Sequence, residues 1–358
     1  MRIAFVASEW AVATPIDVPN MLTDNRGLTG SETSLFMFAK QVAKAGHTVW
    51  VFTNIKAPAV WEGVMCNPMS QMSAADPVSW DWAIAWLDPR PLQNLPKSVK
   101  KALNEQVNDF NYCPGWESYI DLLFSPSATH RTYLKQFTSF PLSKWEVLFN
   151  GVDPAFFEKA STDKPRARKM IFASSPDRGL HWLMEAYPRI RREVPNVELH
   201  VFYAWQRFYE SVRHQESKFG YRLRYINEAF KRFAGHGVFH YGATSKTRLA
   251  EEMSTARVLA YPCDPMSFTE GFSVTTLESA VAGCVPVIIG ADALPEVYGG
   301  HIPVIPAPYA AHKDDYINTV VKMLKDDEAW VAASTKGRAS LRGIYSWETL
   351  GATLMGHL

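Results

Sequence analysis

Cysteine is scarce in this sequence. The four present, Cys66, Cys113, Cys263 and Cys284, form no CxxC pair and stand in no Cys/His cluster. That spacing excludes a structural zinc site and points to reduced thiols in a cytoplasmic protein. Excess charge of one sign is missing too: the net charge is +1, so nothing in the charge draws the chain to nucleic acid. No apolar run reaches membrane-spanning length, which leaves only peripheral membrane contact open. The opening "MRIAFVAS" is too short and too quickly polar for a signal peptide and reads as a buried first strand. Absence of HExxH, GxSxG and Walker-type loops argues against zincin, α/β-hydrolase and P-loop chemistry. Internal repeats and low-complexity stretches are absent as well.

What is there suits two α/β domains: 358 residues, 47% of them apolar and 20% charged. "RIAFVAS", "SETSLFMFAKQVAKAG" and "HTVWVFT" read as strand, helix and strand, the helix ending in glycine before a β-branched run. Further strands are expected at "WAIAWL", around "QVNDFNYC", at "LLFSPS" and at "WEVLFN". The polar, proline-containing "EKASTDKPRARK" reads as an interdomain linker. The alternation restarts with "KMIFASS", "GLHWLMEAYPRIRREV" and "VELHVFYA", and continues through "VFHYG", "SKTRLAEEMSTA", "RVLAYPC", "SVTTLESAVAG" and "VPVIIG". Two doubly wound units predict two Rossmann-like domains facing across a cleft, with ligands beyond the carboxyl ends of the strands. The boundaries read as 1–155 and 156–340, with a C-terminal helix in 341–358 packing back on the first domain.

The stretch "FTEGFSVTTLESAVAGCVPVII" places Glu270 before a helix and Glu278 about one turn into it. A helix beginning near Ser273 or Val274 points the amides of Phe272, Ser273, Val274 and Thr275 outward, a setting that favours an anion. Gly271 lets the backbone approach a ligand, and Thr275 and Thr276 add hydroxyls. Glu278 could accept from a diol such as a ribose, with Glu270 nearer the reacting end of a ligand held by its phosphate. Two carboxylates at a solvated helix start, complementing its dipole, are the plain alternative.

These segments together carry a resemblance. "EGFSVTTLESAVAGCVPVI" resembles the E-x7-E segment of the family 4 retaining glycosyltransferases, "VLFNGVDPAFF" its interdomain passage, and "GLTGSE" its glycine-rich loop. "FASSPDRGLHWLMEAYPRIRREVPNVELHVFY" is similar to the donor-phosphate strand, loop and helix of a subgroup with "SSPDRGL". "HYGATSKTRLAEEMSTARVLAYPC" and "YSWETL" fit in the same order, so the resemblance runs from Gly27 to Leu350. It implies a GT-B fold, donor site in the second domain and acceptor side in the first. It also implies transfer, with retention, from a UDP-, GDP-, ADP- or dTDP-sugar. The acceptor could be a glycan, lipid-linked sugar, protein or modified nucleic acid.

On that pattern Arg178 binds the pyrophosphate, and its fork suits two phosphate oxygens. Ser174 and Ser175 add hydroxyl or amide contacts, Glu278 holds the ribose, and Glu270 sits near the donor sugar and β-phosphate. Gly30, with Gly27, Ser31 and Glu32, would lie against donor or acceptor. Without the resemblance that loop is a plain capped helix with Ser31 at the cap. No DxD motif stands where a metal-dependent transferase needs one, so neither metal nor other cofactor is expected.

The chain departs from the pattern in three places. Thr29 replaces one of the paired glycines, and Ala173 and Ser174 stand where relatives outside the subgroup carry a second basic residue. "NDFNYCPGW" lacks the first-domain histidine of many relatives, leaving Asp109, Asn111 and Tyr112 as candidates, while His130 reads as a helix residue. That gap motivates an inactive nucleotide-sugar-binding protein as the alternative, and a sugar-nucleotide epimerase on a related fold is another.

Overall fold

The run Ile3-Ala4-Phe5-Val6 has no polar residue, and in the structure it shows why: strand β1 (Arg2–Val6) is buried on both faces. Ile3 and Phe5 enter one core and Ala4 and Val6 the other, the period-two consequence of a pleated backbone inside a parallel sheet. The computed structural model describes every residue except Asn111, Tyr112, Pro165, Arg213 and His214. It divides into two compact units, one of Met1–Asp24, Leu28–Gly151 and Tyr345–Leu358, the other of Asn25–Gly27 and Val152–Ile344.

In the first unit, β1 is joined by β2 (Thr48–Thr53), β3 (Ala59–Trp61), β4 (Val64–Pro68), β5 (Trp82–Trp86), β6 (Lys100–Asn104), β7 (Leu122–Ser125) and β8 (Trp145–Val147). Their order is β3-β4-β2-β1-β5-β6-β7-β8, parallel except for the β3/β4 pair. Helix α1 (Gly30–Lys44) lays Leu35, Phe38 and Val42 on one face of this sheet, and α2 (Ala128–Leu134) follows β7. The strand expected around "QVNDFNYC" lies earlier, at β6. Its letters hide it, because Lys101 is buried there with Nζ on the Leu95 carbonyl at 2.9 Å. His130 is a fully buried helix residue whose Nε2 lies 3.0 Å from the Val107 carbonyl, and burial pushes its pKa down to about 4.

The second unit carries β9 (Ala167–Phe172), β10 (Glu198–Phe202), β11 (Val238–Gly242), β12 (Ala256–Tyr261), β13 (Val285–Gly290) and β14 (Val304–Pro306). α3 (Pro154–Phe157) precedes β9, and between the strands run α4 (Leu180–Glu193), α5 (Trp205–Val212), α6 (Glu216–Phe233), α7 (Lys246–Thr255), α8 (Val274–Ala282) and α9 (Leu294–Tyr298). α10 (Tyr309–Lys325) and α11 (Asp327–Leu341) follow. The sheet is parallel throughout with order β11-β10-β9-β12-β13-β14. Connections therefore run outward in both directions from the β9/β12 pair, and such a reversal opens a crevice at the carboxyl ends of those two strands. The stretch read as a linker is tied into this unit: Arg166 donates to the carbonyls of Met253 (2.9 Å) and Ala282 (2.8 Å).

The last helix, α12 (Trp347–His357), belongs to the first unit. Trp347, Leu350 and Leu354 join its core, Trp347 meeting Phe38 edge-on at 5.2 Å between ring centres. A methyl group on Gly351 would lie 2.4 Å from Cβ of Gln41, so α12 sits on α1 as closely as a glycine allows. Trp86, Trp116, Trp145 and Trp330 are each fully buried, which accounts for part of the tryptophan content as core.

Candidate functional site

The loops that leave β9 and β12 touch backbone to backbone. After β9 the chain turns through Pro176–Arg178 and reaches Gly179 at φ +109°, where a Cβ would lie 2.0 Å from the Pro262 carbonyl oxygen. Only glycine fits both the conformation and the space. Gly179→Ala is expected to lower unfolding stability by about 2 kcal/mol or more, since φ and contact are both violated. Chemical denaturation reads this directly, and an unchanged midpoint would show the loops apart.

That contact brings Arg178 against Glu270. Arg178 Nη1 donates to Glu270 Oε1, and the same oxygen accepts from the Tyr261 hydroxyl at 2.6 Å. Glu270 is 2% exposed and the Arg178 side chain 31%. Burial opposes the arginine's charge, but the Glu270 and Asp177 carboxylates outweigh it and hold its pKa above the ordinary value. Burial, with Cys263 and Glu270 beside it, pushes Tyr261 well up, so its hydroxyl stays a donor at neutral pH. The sequence reading leaves Arg178 open to an anion; the structure instead gives one of its N–H groups to Glu270 and leaves buried Nε without a partner. The expected serine contacts are also redirected, Ser174 Oγ to Tyr261 Oη at 3.2 Å and Ser175 Oγ to the Asp177 carboxylate.

Helix α8 starts as expected, with one residue just before it under strain. Ser273 is left-handed, at φ +70°, and Tyr298 donates its hydroxyl to the Ser273 carbonyl at 2.7 Å. A non-glycine residue held there is a position that surrounding structure must enforce. Among the described residues, the amides of Ser273, Val274 and Thr275 meet no acceptor, while the Thr275 hydroxyl is spent on the Ala173 carbonyl at 3.1 Å. The amides of Thr269 and Glu270 are taken by Asp292 Oδ2 at 2.8 and 3.0 Å. Phe272 is buried edge-on to Tyr298, 6.0 Å between ring centres.

Glu278, 2% exposed, has one carboxylate oxygen 2.6 Å from Lys246 Nζ and the other, Oε2, buried with no partner. Lys246 is absent from the residues singled out above, yet the sequence contained its signal. Ser245 caps α7, its Oγ accepting from the Arg248 amide at 3.1 Å, so Lys246 is the first helical residue. A cation there opposes the dipole unless an anion stands close. Tyr261 and Asp292 had weaker signals, a lone tyrosine ending an apolar strand and an aspartate following β13.

Gly30 lies in the first unit as the first residue of α1. The cap is Thr29, not Ser31: Thr29 Oγ1 accepts from the Glu32 amide at 3.2 Å and Glu32 accepts from the Thr29 amide at 2.8 Å. This is a capping box, in which a hydroxyl and a glutamate three residues on satisfy each other's backbone amides. Asp109 follows β6 in the first unit, while Asn111 and Tyr112 lie outside the described residues. Among the described residues no group of three or more His, Cys, Asp or Glu could hold a metal ion, and no helix is long and apolar enough to cross a membrane.

No family model and no curated protein matches the chain. Solved structures do. Sucrose-phosphate synthase from Thermosynechococcus elongatus is similar at a TM-score of 0.69 and 13% identity, covering 99% of this chain and 98% of its own. HepE of Anabaena, in complex with UDP and glucose, is similar at 0.70 and 12%, with coverages of 99% and 98%. WaaG, a glycosyltransferase involved in lipopolysaccharide biosynthesis, is similar at 0.65 and 12%, covering 98% of each. These likenesses establish the fold as GT-B, α/β with two parallel-stranded Rossmann-like sheets.

Proposed function

We propose that the chain is a retaining, metal-independent glycosyltransferase of the family 4 type, which binds a nucleotide sugar in its second unit. The observation that carries this is the convergence at the β9/β12 ends of an arginine, two buried carboxylates and an uncapped helix N-terminus. Glu278 Oε2, buried and without a donor, is suited to accept from a ribose hydroxyl, since an unmade hydrogen bond there is costly. Arg178 and the amides of Ser273 to Thr275 are suited to the diphosphate, where charge grows as the leaving group departs. In this reading the acceptor oxygen bonds to the anomeric carbon on the face the phosphate leaves. The acceptor's proton passes to the departing phosphate oxygen. Glu270 orients the sugar and steadies positive charge at that carbon; already held by Arg178 and Tyr261, it is not a nucleophile. Acceptor recognition is assigned to loops of the first unit.

The test is a thermal-shift panel of UDP-, GDP-, ADP- and dTDP-sugars, since a ligand at 100 times its Kd stabilises by about 2.7 kcal/mol. The HepE complex puts the uridine arm first. One base is expected to raise Tm clearly above the others, with release of nucleoside diphosphate over time. Binding without turnover would replace this reading with a binding protein, a changed sugar without acceptor with an epimerase, and no binding with neither.

A further inference from the structure

Arg222 lies on α6, 44 residues after Arg178 and 48 before Glu270, and the sequence gives no reason to place it near either. Its side chain is 14% exposed, and its partners lie on the two loops just described. Nη1 donates to the Asp177 carbonyl at 2.6 Å and to the Asp264 carbonyl at 2.8 Å, and Nη2 lies 3.6 Å from the Asp264 carboxylate. Trp182 Nε1 donates to that same carboxylate at 2.6 Å. Asp177 immediately precedes Arg178, and Asp264 lies near the start of the loop between β12 and α8, which Asp292 holds again at Thr269 and Glu270.

We infer that Arg222 is a positioning residue for the transfer reaction: its guanidinium joins the two loops so that Arg178 and Glu270 meet in one geometry. The role rests on the glycosyl-transfer reading above. A guanidinium is suited to it, because Nη1 serves both carbonyls while Nη2 faces the Asp264 carboxylate, whereas a lysine ammonium, a point charge on a shorter reach, replaces only part of that set. Nothing in the arrangement puts Arg222 on the sugar nucleotide, so its effect should fall on the placement of reacting groups more than on donor capture. A displacement of about 1 Å can cost on the order of 10²-fold in rate.

The experiment compares wild type, Arg222→Ala and Arg222→Lys in steady-state turnover of the donor that the panel identifies, with a denaturation curve for each. The expected result is a fall in kcat of about 30-fold or more for Arg222→Ala, with KM within about threefold and a cooperative unfolding transition retained. Arg222→Lys should recover part of kcat. Should Arg222→Ala not fold, Arg222→Lys decides: a kcat reduced by about threefold or more at unchanged KM supports the role, and a wild-type kcat overturns it. An Arg222→Ala variant with kcat within twofold of wild type, or one whose loss lies in KM, overturns the Arg222 assignment alone. A wild-type protein that turns over no nucleotide sugar overturns the transferase reading, and this role with it.

Discussion

Arg178→Ala should lower donor turnover by about 10²- to 10³-fold, the cost of removing one well-placed donor to developing negative charge. A second consequence separates this from simple loss of binding. Glu270 is 2% exposed, and without Arg178 its carboxylate keeps Tyr261 at 2.6 Å but no cation. An uncompensated buried charge is destabilising, and with the arginine itself 31% exposed the loss should be about 2 kcal/mol. Arg178→Ala/Glu270→Gln removes both charges, so it should recover most of that stability and none of the turnover. Arg178→Lys restores a point charge without the fork, and should regain only part of the rate. Initial rates with the identified donor and urea denaturation check both arms. Turnover by Arg178→Ala within threefold of wild type would remove this arginine from the chemistry.

The other large effect belongs to Glu278 and Lys246. Glu278→Leu deletes the orphaned acceptor proposed for the ribose and strands Lys246, whose side chain is 9% exposed, without its partner at 2.6 Å. Loss of one member of such a pair costs about 3–5 kcal/mol, and nucleoside-diphosphate affinity should fall about 30-fold or more through the lost hydrogen bonds. Replacing both groups by apolar ones, Lys246→Met with Glu278→Leu, should restore stability to near wild type while leaving affinity low. Calorimetric titration with the nucleoside diphosphate, beside thermal unfolding, separates the two losses. If the double variant binds as tightly as wild type, the ribose assignment is wrong.

Most elements were legible because their cause is local. β1, β2, β5, β9, β12 and β13 are short apolar runs, and α1, α4, α7 and α8 show helical periodicity within a few turns. β6 was misplaced where a buried lysine and a buried asparagine broke the apolar pattern; the lysine's ammonium is taken by the Leu95 carbonyl, a partner the local pattern does not reveal. At the site, the helix start at Val274 was readable from its flanking residues, and so was an anion-seeking arginine before α4. Lys246 needed only the same dipole argument applied at α7.

The sequence by itself determined two alternating strand–helix series and carboxylates flanking the start of α8, since propensity and burial periodicity act over a few residues. Tertiary structure alone decided what those charges do. Arg178 meets Glu270 across 92 residues, Lys246 meets Glu278 across 32, and Ser273 is held in the left-handed backbone. Pairings at that range depend on which strand ends the sheet order brings together, and a charge cannot choose its partner until that packing has set the distance and removed the water.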